Sequence, residues 1–219
     1  MNHRIFAATT VFALSMLTLP MATRPTLAGP LEDGIAEIQK EWAQIRYERA
    51  PAERERLYDA LVGKAHRLAQ TQPNRSEALI WEGIVVSSLA GEKGGLGALG
   101  LAKQAKALYE DAIRIDGNAL DGSAYNSLGV LYYKVPGWPL GFGDKAKARE
   151  LLQKALAINP TGIDPNYFYG EYLVETGQRA DAVPHLERAL TAPARPGRQV
   201  ADDGRRAEAR QLLDRVRAN

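Results

Sequence analysis

Three times along this chain, a helix-sized segment carries a glycine at one fixed point and a second helix follows with small, large and small apolar residues. The sets are Gly83 with Ala105, Tyr109 and Ala112, then Gly129 with Ala148, Leu152 and Ala155, then Gly170 with Ala182, Leu186 and Ala189. Within each second helix the offsets are four and then three residues, which stacks all three side chains on one helix face. A glycine on the first helix lacks a Cβ and lets the second helix approach closely. Consecutive units of this kind stack as helical hairpins, an architecture that makes binding surfaces far more often than active sites.

The rest of the chain after residue 30 is patterned for helix, with no alternating run long enough for a strand. Leu31, Ile35, Ile38, Trp42 and Ile45 form one helical stripe, and Pro51 opens a second helix that runs to about Thr71. The repeats occupy about 76–117, 122–160 and 163–194, and a last helix at about 202–218 covers the open end. A single helical domain therefore spans 29–219.

Residues 1–28 read differently. His3 and Arg4 precede the uncharged apolar run 5–21, and small residues at Thr26 and Ala28 suit cleavage before Gly29, with Ala22 as a second cut. This is the pattern of a bacterial secretory signal and places the mature chain in the periplasm or outside the cell. The alternative is an uncleaved N-terminal anchor, near the lower length limit for spanning. Loss of the signal removes Arg4 and Arg24 and no acid, so the total of 28 basic residues falls to 26, equal to the 26 acids. A neutral chain has no domain-wide basic surface for nucleic acid. The arginine-rich tail from Arg195 reads as a solvated helix face. The absence of cysteine excludes disulfides, thiol nucleophiles, thiolate metal sites and a lipid-modified N-terminal cysteine.

The third unit, with glycine, alanine twelve residues on, and then the four and three offsets, is similar to a tetratricopeptide repeat, and the second unit ends in that pattern's Asn159-Pro160. The family's helix A tryptophan is replaced by Leu79, Tyr125 and Asn166. The resemblance implies an all-α, tetratricopeptide-like solenoid of antiparallel hairpins, with an extra N-terminal helix pair and a C-terminal capping helix. Units one and two carry insertions between their helices, at 91–100 and 135–144. Both fall at the same place in the hairpin and are expected on one edge of the stack, a placement common for binding edges. In the second insertion Trp138 and Phe142 sit among prolines and glycines. Packing on the core is the favoured expectation, because an exposed tryptophan is costly without a partner.

With the segment 125–134 (Tyr-Asn-Ser-Leu-Gly-Val-Leu-Tyr-Tyr-Lys) and the Pro-Gly-Trp-Pro-Leu-Gly-Phe-Gly-Asp loop, the chain resembles the TatT component family associated with TRAP-type transporters. That resemblance implies an accessory protein outside the cytoplasmic membrane that contacts a solute-binding partner. The layout is also similar to the regulators of microtubule dynamics, against which the secretion signal argues.

No constellation for catalysis, cofactor or metal stands out. Gly95-Leu-Gly97-Ala-Leu-Gly100 matches a dinucleotide fingerprint literally, but a helix precedes it where a strand is required. The histidines have no ligand spacing. The tetratricopeptide register instead puts Ile80, Ile84, Asn126, Val130, Tyr133, Lys134, Tyr167 and Glu171 on an inner groove, joined by Trp138 and Phe142 from the loop. The expected function is a non-enzymatic adaptor holding a protein or peptide partner. The alternative is an accessory that handles a small apolar ligand for a solute uptake system. Ile80, Ile84 and Val130 could equally pack on the terminal helices and fill the groove.

Overall fold

A computed structural model of the chain describes residues 29–218, so the signal reading of 1–28 lies outside the described residues. These form α1 (Pro30–Glu48), α2 (Pro51–Thr71), α3 (Ser76–Lys93), α4 (Gly95–Asp116), α5 (Ala119–Lys134), α6 (Lys145–Ile158), α7 (Ile163–Glu175), α8 (Arg179–Thr191) and α9 (Gln199–Ala218). There is no strand among them. Prolines stand in the first turn of α1 and α2, where a missing N–H costs no intrahelical bond. Asp144 caps α6, accepting from the backbone N–H of Ala146 at 2.8 Å and of Lys147 at 3.0 Å.

Helices pair antiparallel as α1–α2, α3–α4, α5–α6 and α7–α8, with α9 packed on α7 and α8. The three glycines seat the pairing. A Cβ on Gly83 would lie 2.6 Å from the Tyr109 ring, one on Gly129 would lie 2.8 Å from Leu152 Cγ, and one on Gly170 would lie 2.9 Å from Leu186 Cδ2. Tyr109, Leu152 and Leu186 are fully buried, so each ring or branched side chain fills the volume a glycine vacates. Such close-packed contacts set the distance between the two helices of a hairpin.

Odd-numbered helices form an inner layer: α1 touches α3, α3 touches α5, α5 touches α7, and α7 touches α9. The last link, α9 to α1, closes the layer into a ring. α9 joins both ends of the core, because Ala201 belongs to the cluster of Ile38, Trp42 and Trp81 while Ala209, Leu212 and Leu213 belong to that of Leu173 and Leu186. The helix thus does more than cover an open end.

The first insertion is a correction to the sequence reading. It is not a long loop, because α3 runs on to Lys93 and α4 begins at Gly95, with Gly94 (φ +62°) and Gly95 (φ +56°) making the break. The hairpin is lengthened instead. The second insertion is a true loop, braced by Gly143 N–H donating to the Pro136 carbonyl at 2.9 Å and Asp144 N–H donating to the Tyr132 carbonyl at 2.8 Å.

Substituting Gly83→Ala is expected to cost about 1–3 kcal/mol in urea unfolding, because the buried Tyr109 ring has nowhere to move. Gly100→Ala, on an exposed stretch of α4 with nothing within 4 Å of the new Cβ, is expected to be neutral or stabilising by up to about 1 kcal/mol. Equal effects at both positions would contradict the seating role.

Candidate functional site

Ring closure converts what would be an open groove into a chamber of about 1060 Å³. Its wall draws on α1 (Trp42, Arg46), α2 (Tyr58), α3 (Trp81, Ile84, Ser88), α5 (Asn126, Val130, Lys134), α7 (Asp164, Phe168), α9 (Ala201, Arg205) and, just before α9, Arg195 and Arg198. Both insertions reach it, through Leu99 of α4 and through Val135, Pro136 and Leu140 of the loop. A turn with left-handed backbone at Leu120 (φ 48°) and Asp121 (φ 55°) also faces it. Such conformations are costly for residues with a Cβ and persist where surrounding packing enforces them.

One end of the chamber is an ion-pair lattice. Asp164 accepts from Arg195 Nη1 at 2.7 Å and from Arg205 Nε at 2.9 Å. Arg195 also holds the buried Asp202 at 2.6 Å, and Arg205 reaches Glu208 at 2.6 Å. Arg46 of α1 closes the set on Glu208 at 2.9 Å. The Arg205 guanidinium sits over the Phe168 and Tyr167 rings, 4.3 and 4.7 Å from their centres. Beside this latch, a Cβ on Gly204 would collide with the Tyr47 ring, so only glycine admits α1 this closely. Burial alone would raise the Asp164 carboxyl, but the facing Arg205 and Arg195 outweigh it and hold it at about 2.

Arg198 stands apart. Its guanidinium lies 5.1 Å over the Trp81 ring, and among the described residues it has no ion-pair partner and its buried Nε finds no hydrogen bond. Burial first, and the neighbouring Arg195 second, push its pKa down to about 10. Three other buried polar atoms are also unsatisfied among the described residues: Tyr58 Oη, Trp81 Nε1 and Asn126 Oδ1. All four belong to residues of the chamber wall.

Ile84, Asn126, Val130 and Lys134, named from the repeat register, line the chamber. Ile80 does not, being buried between Ala112, Ala119 and Ala124. Tyr133, Tyr167, Lys134 and Glu171 form an internal network between α5 and α7. In it Glu171 accepts from Tyr133 Oη at 2.5 Å and from Tyr167 Oη at 3.3 Å, and pairs with Lys134 at 3.2 Å. Burial first, then the Glu171 carboxylate, push the Tyr133 hydroxyl well above its ordinary range.

The loop aromatics part company. Phe142 packs edge-on against Tyr132 at 5.6 Å, with the Lys106 ammonium 5.9 Å from its ring centre. Trp138 is 90% exposed and Leu140 73%, which overturns the expectation of core packing. The inner side of the loop is already filled by Phe142 and Val135, which leaves Trp138 at the tip.

The arginine tail is also corrected. Arg195, Arg198 and Arg205 face inward, while Arg210, Arg215 and Arg217 form the exposed face that the sequence pattern implied. Arg198, Ala201, Asp202, Arg205 and Ala209 follow helical spacing on one face, a signal that counting charges hid.

No family model matches the chain, and no curated protein matches it in sequence. Its structure is similar to the crystal structure of TTC0263, described as a thermophilic TPR protein in Thermus thermophilus. The TM-score is 0.56 at 16% identity over 83% of this chain and 99% of that one. The crystal structure of MamA matches with a TM-score of 0.44 at 19% identity over 75% of this chain and 90% of that one. The first of these confirms the tetratricopeptide-like fold.

Asp164→Asn is expected to cost about 2 kcal/mol at neutral pH, by leaving two arginines short of their shared, half-buried carboxylate. The lowered carboxyl contributes stability that is whole above its ordinary 3.8 and disappears as pH falls through about 2. Urea unfolding across that window should therefore show a steeper acid loss for the native chain than for Asp164→Asn. Parallel profiles would remove Asp164 from the latch.

Proposed function

We propose that this chain is an exported, non-catalytic repeat scaffold that docks a protein partner at the rim of its chamber, with Trp138 as the anchor. The observation that carries this reading is a large aromatic side chain held fully in solvent by a loop that is itself fixed. Prolines, the Asp144 cap and the Phe142 anchor restrain the loop, and Leu140 beside the tryptophan is also exposed. A rigid tryptophan loses little entropy on docking and dominates interfaces of this kind. The described helices include none long and apolar enough to cross a membrane.

A second reading is favoured by the chamber itself: a small-molecule-handling accessory whose docked partner is a solute-binding protein of a TRAP-type uptake system. The resemblance to the TatT component family supports it. Under this reading docking at the rim and occupancy of the chamber are two steps of one task.

Two measurements test the proposal. A photo-crosslinking residue at position 138 or 140 in the native cell is expected to trap the same specific protein, whereas one at the exposed Arg210 of α9 is not. Identical adduct patterns from all three positions, or none from the loop, would defeat the docking role. N-terminal sequencing of the chain from the extracytoplasmic fraction is expected to start at Gly29. Recovery of the chain only inside the cell, beginning at Met1, would contradict export.

A further inference from the structure

A second hollow lies against the outer side of the α1–α9 seam. This cleft of about 590 Å³ is lined by Arg46, Tyr47 and Arg54 on one side and by Val200, Gly204 and Glu208 on the other. Among the described residues, its wall and the chamber wall share only Arg46. The two helices divide about that point. On α1, Trp42 lines the chamber and Tyr47 the cleft, while on α9, Ala201 lines the chamber and Val200 the cleft. The Arg46 side chain therefore stands as the partition between the two spaces.

The partition is fastened lightly, and the helices around it are not. Arg46 Nη2 donates to Glu208 Oε1 at 2.9 Å, and no other ion pair holds it among the described residues. The pair is solvated, with 41% of the Arg46 side chain and 22% of the Glu208 side chain exposed. An ion pair in that setting is worth little, and a long exposed side chain exchanges rotamers within nanoseconds. Arg205 holds the other Glu208 oxygen at 2.6 Å, so the acid keeps a partner when Arg46 leaves. The seam itself does not depend on Arg46. The Tyr47 ring fills the space beside Gly204, and the buried Ala201 packs in the cluster of Ile38 and Trp42. Backbone closure and side-chain opening are thus separable.

We infer that Arg46 is a side-chain gate between the seam cleft and the chamber, pinned by Glu208, which gives the chamber a lateral entrance separate from its rim. With the guanidinium on Glu208 the two spaces are divided. When it swings out they join, while α1 and α9 remain in contact. The cleft wall carries Glu48, Arg54, Asp203 and Glu208, so the entrance suits small hydrated solutes and not apolar bodies. The inference uses the chamber and is independent of docking at Trp138.

The chain has no native cysteine, so a thiol introduced behind the gate reports its opening. Ala201→Cys in the folded chain is labelled with a small methanethiosulfonate reagent. Ala155→Cys, buried inside the α5–α6 hairpin, measures unfolding in parallel. Adding Arg46→Ala is expected to speed labelling at position 201 by at least about tenfold, because access no longer waits for a rotamer. Glu208→Gln, or raising NaCl from about 0.05 M to about 1 M, is expected to speed it by about threefold, the order of one solvated ion pair. Labelling at position 155 stays slow throughout, and a polymer-linked maleimide stays excluded from position 201, since the helices do not part. Ser88→Cys, also on the chamber wall, serves as the reporter if Ala201→Cys does not fold. Equal rates with and without Arg46, a joint rise at both positions, or entry of the polymer reagent as fast as the small one would overturn the gate. Crosslinking at position 138 leaves these residues untouched and reports on docking separately.

Discussion

The chamber depends on one contact, the seating of α1 against α9 where the Tyr47 ring occupies the space a side chain at position 204 would need. Two ends of a repeat array meet only if curvature accumulated over every hairpin brings them into register. Local packing of each glycine on its facing Tyr109, Leu152 or Leu186 fixes that curvature step by step. The Arg46–Glu208 and Asp164 ion pairs then orient the closing helices. Buried ion pairs of this kind give little net stability against an apolar alternative, but removing one partner is expensive, which makes them good determinants of a single geometry.

Closure changes what the inner wall can do. An open tetratricopeptide-like groove offers a long strip to an extended chain, whereas a walled chamber offers a limited volume with directional polar groups. The network of Tyr133, Tyr167, Lys134 and Glu171 is satisfied within itself, so it serves as mortar between α5 and α7. Tyr58 Oη, Trp81 Nε1, Asn126 Oδ1 and Arg198 Nε, by contrast, are buried without a hydrogen-bond partner among the described residues. Outside the chamber, spare contact capacity is concentrated at Trp138 and Leu140.

The hairpins were legible because their determinants are local: the spacing of glycine, alanine and large apolar residue is the packing geometry written along one helix face. Asn166 departs from the repeat pattern in sequence, yet its buried amide donates at 2.9 Å to the carbonyls of Pro160 and Gly162 and closes the turn in place of the usual aromatic. Closure was not legible, because it is a sum of small rotations that no window of sequence contains. The inward arginines were hidden for the same reason, since nothing near them in the chain reveals that Asp164 will face them. The stretch 91–100 misled because its glycines signal flexibility in isolation, while packing of α3 on α4 holds nearly all of it helical.

Closure is best tested through the absence of native cysteine, which lets Glu48→Cys and Gln211→Cys carry a unique pair of spin labels at the α1–α9 seam. Pulsed electron-spin measurement should return one short, narrow distance distribution for the folded chain in solution. A broad distribution centred at long distance would describe an open solenoid, and the chamber would have no wall.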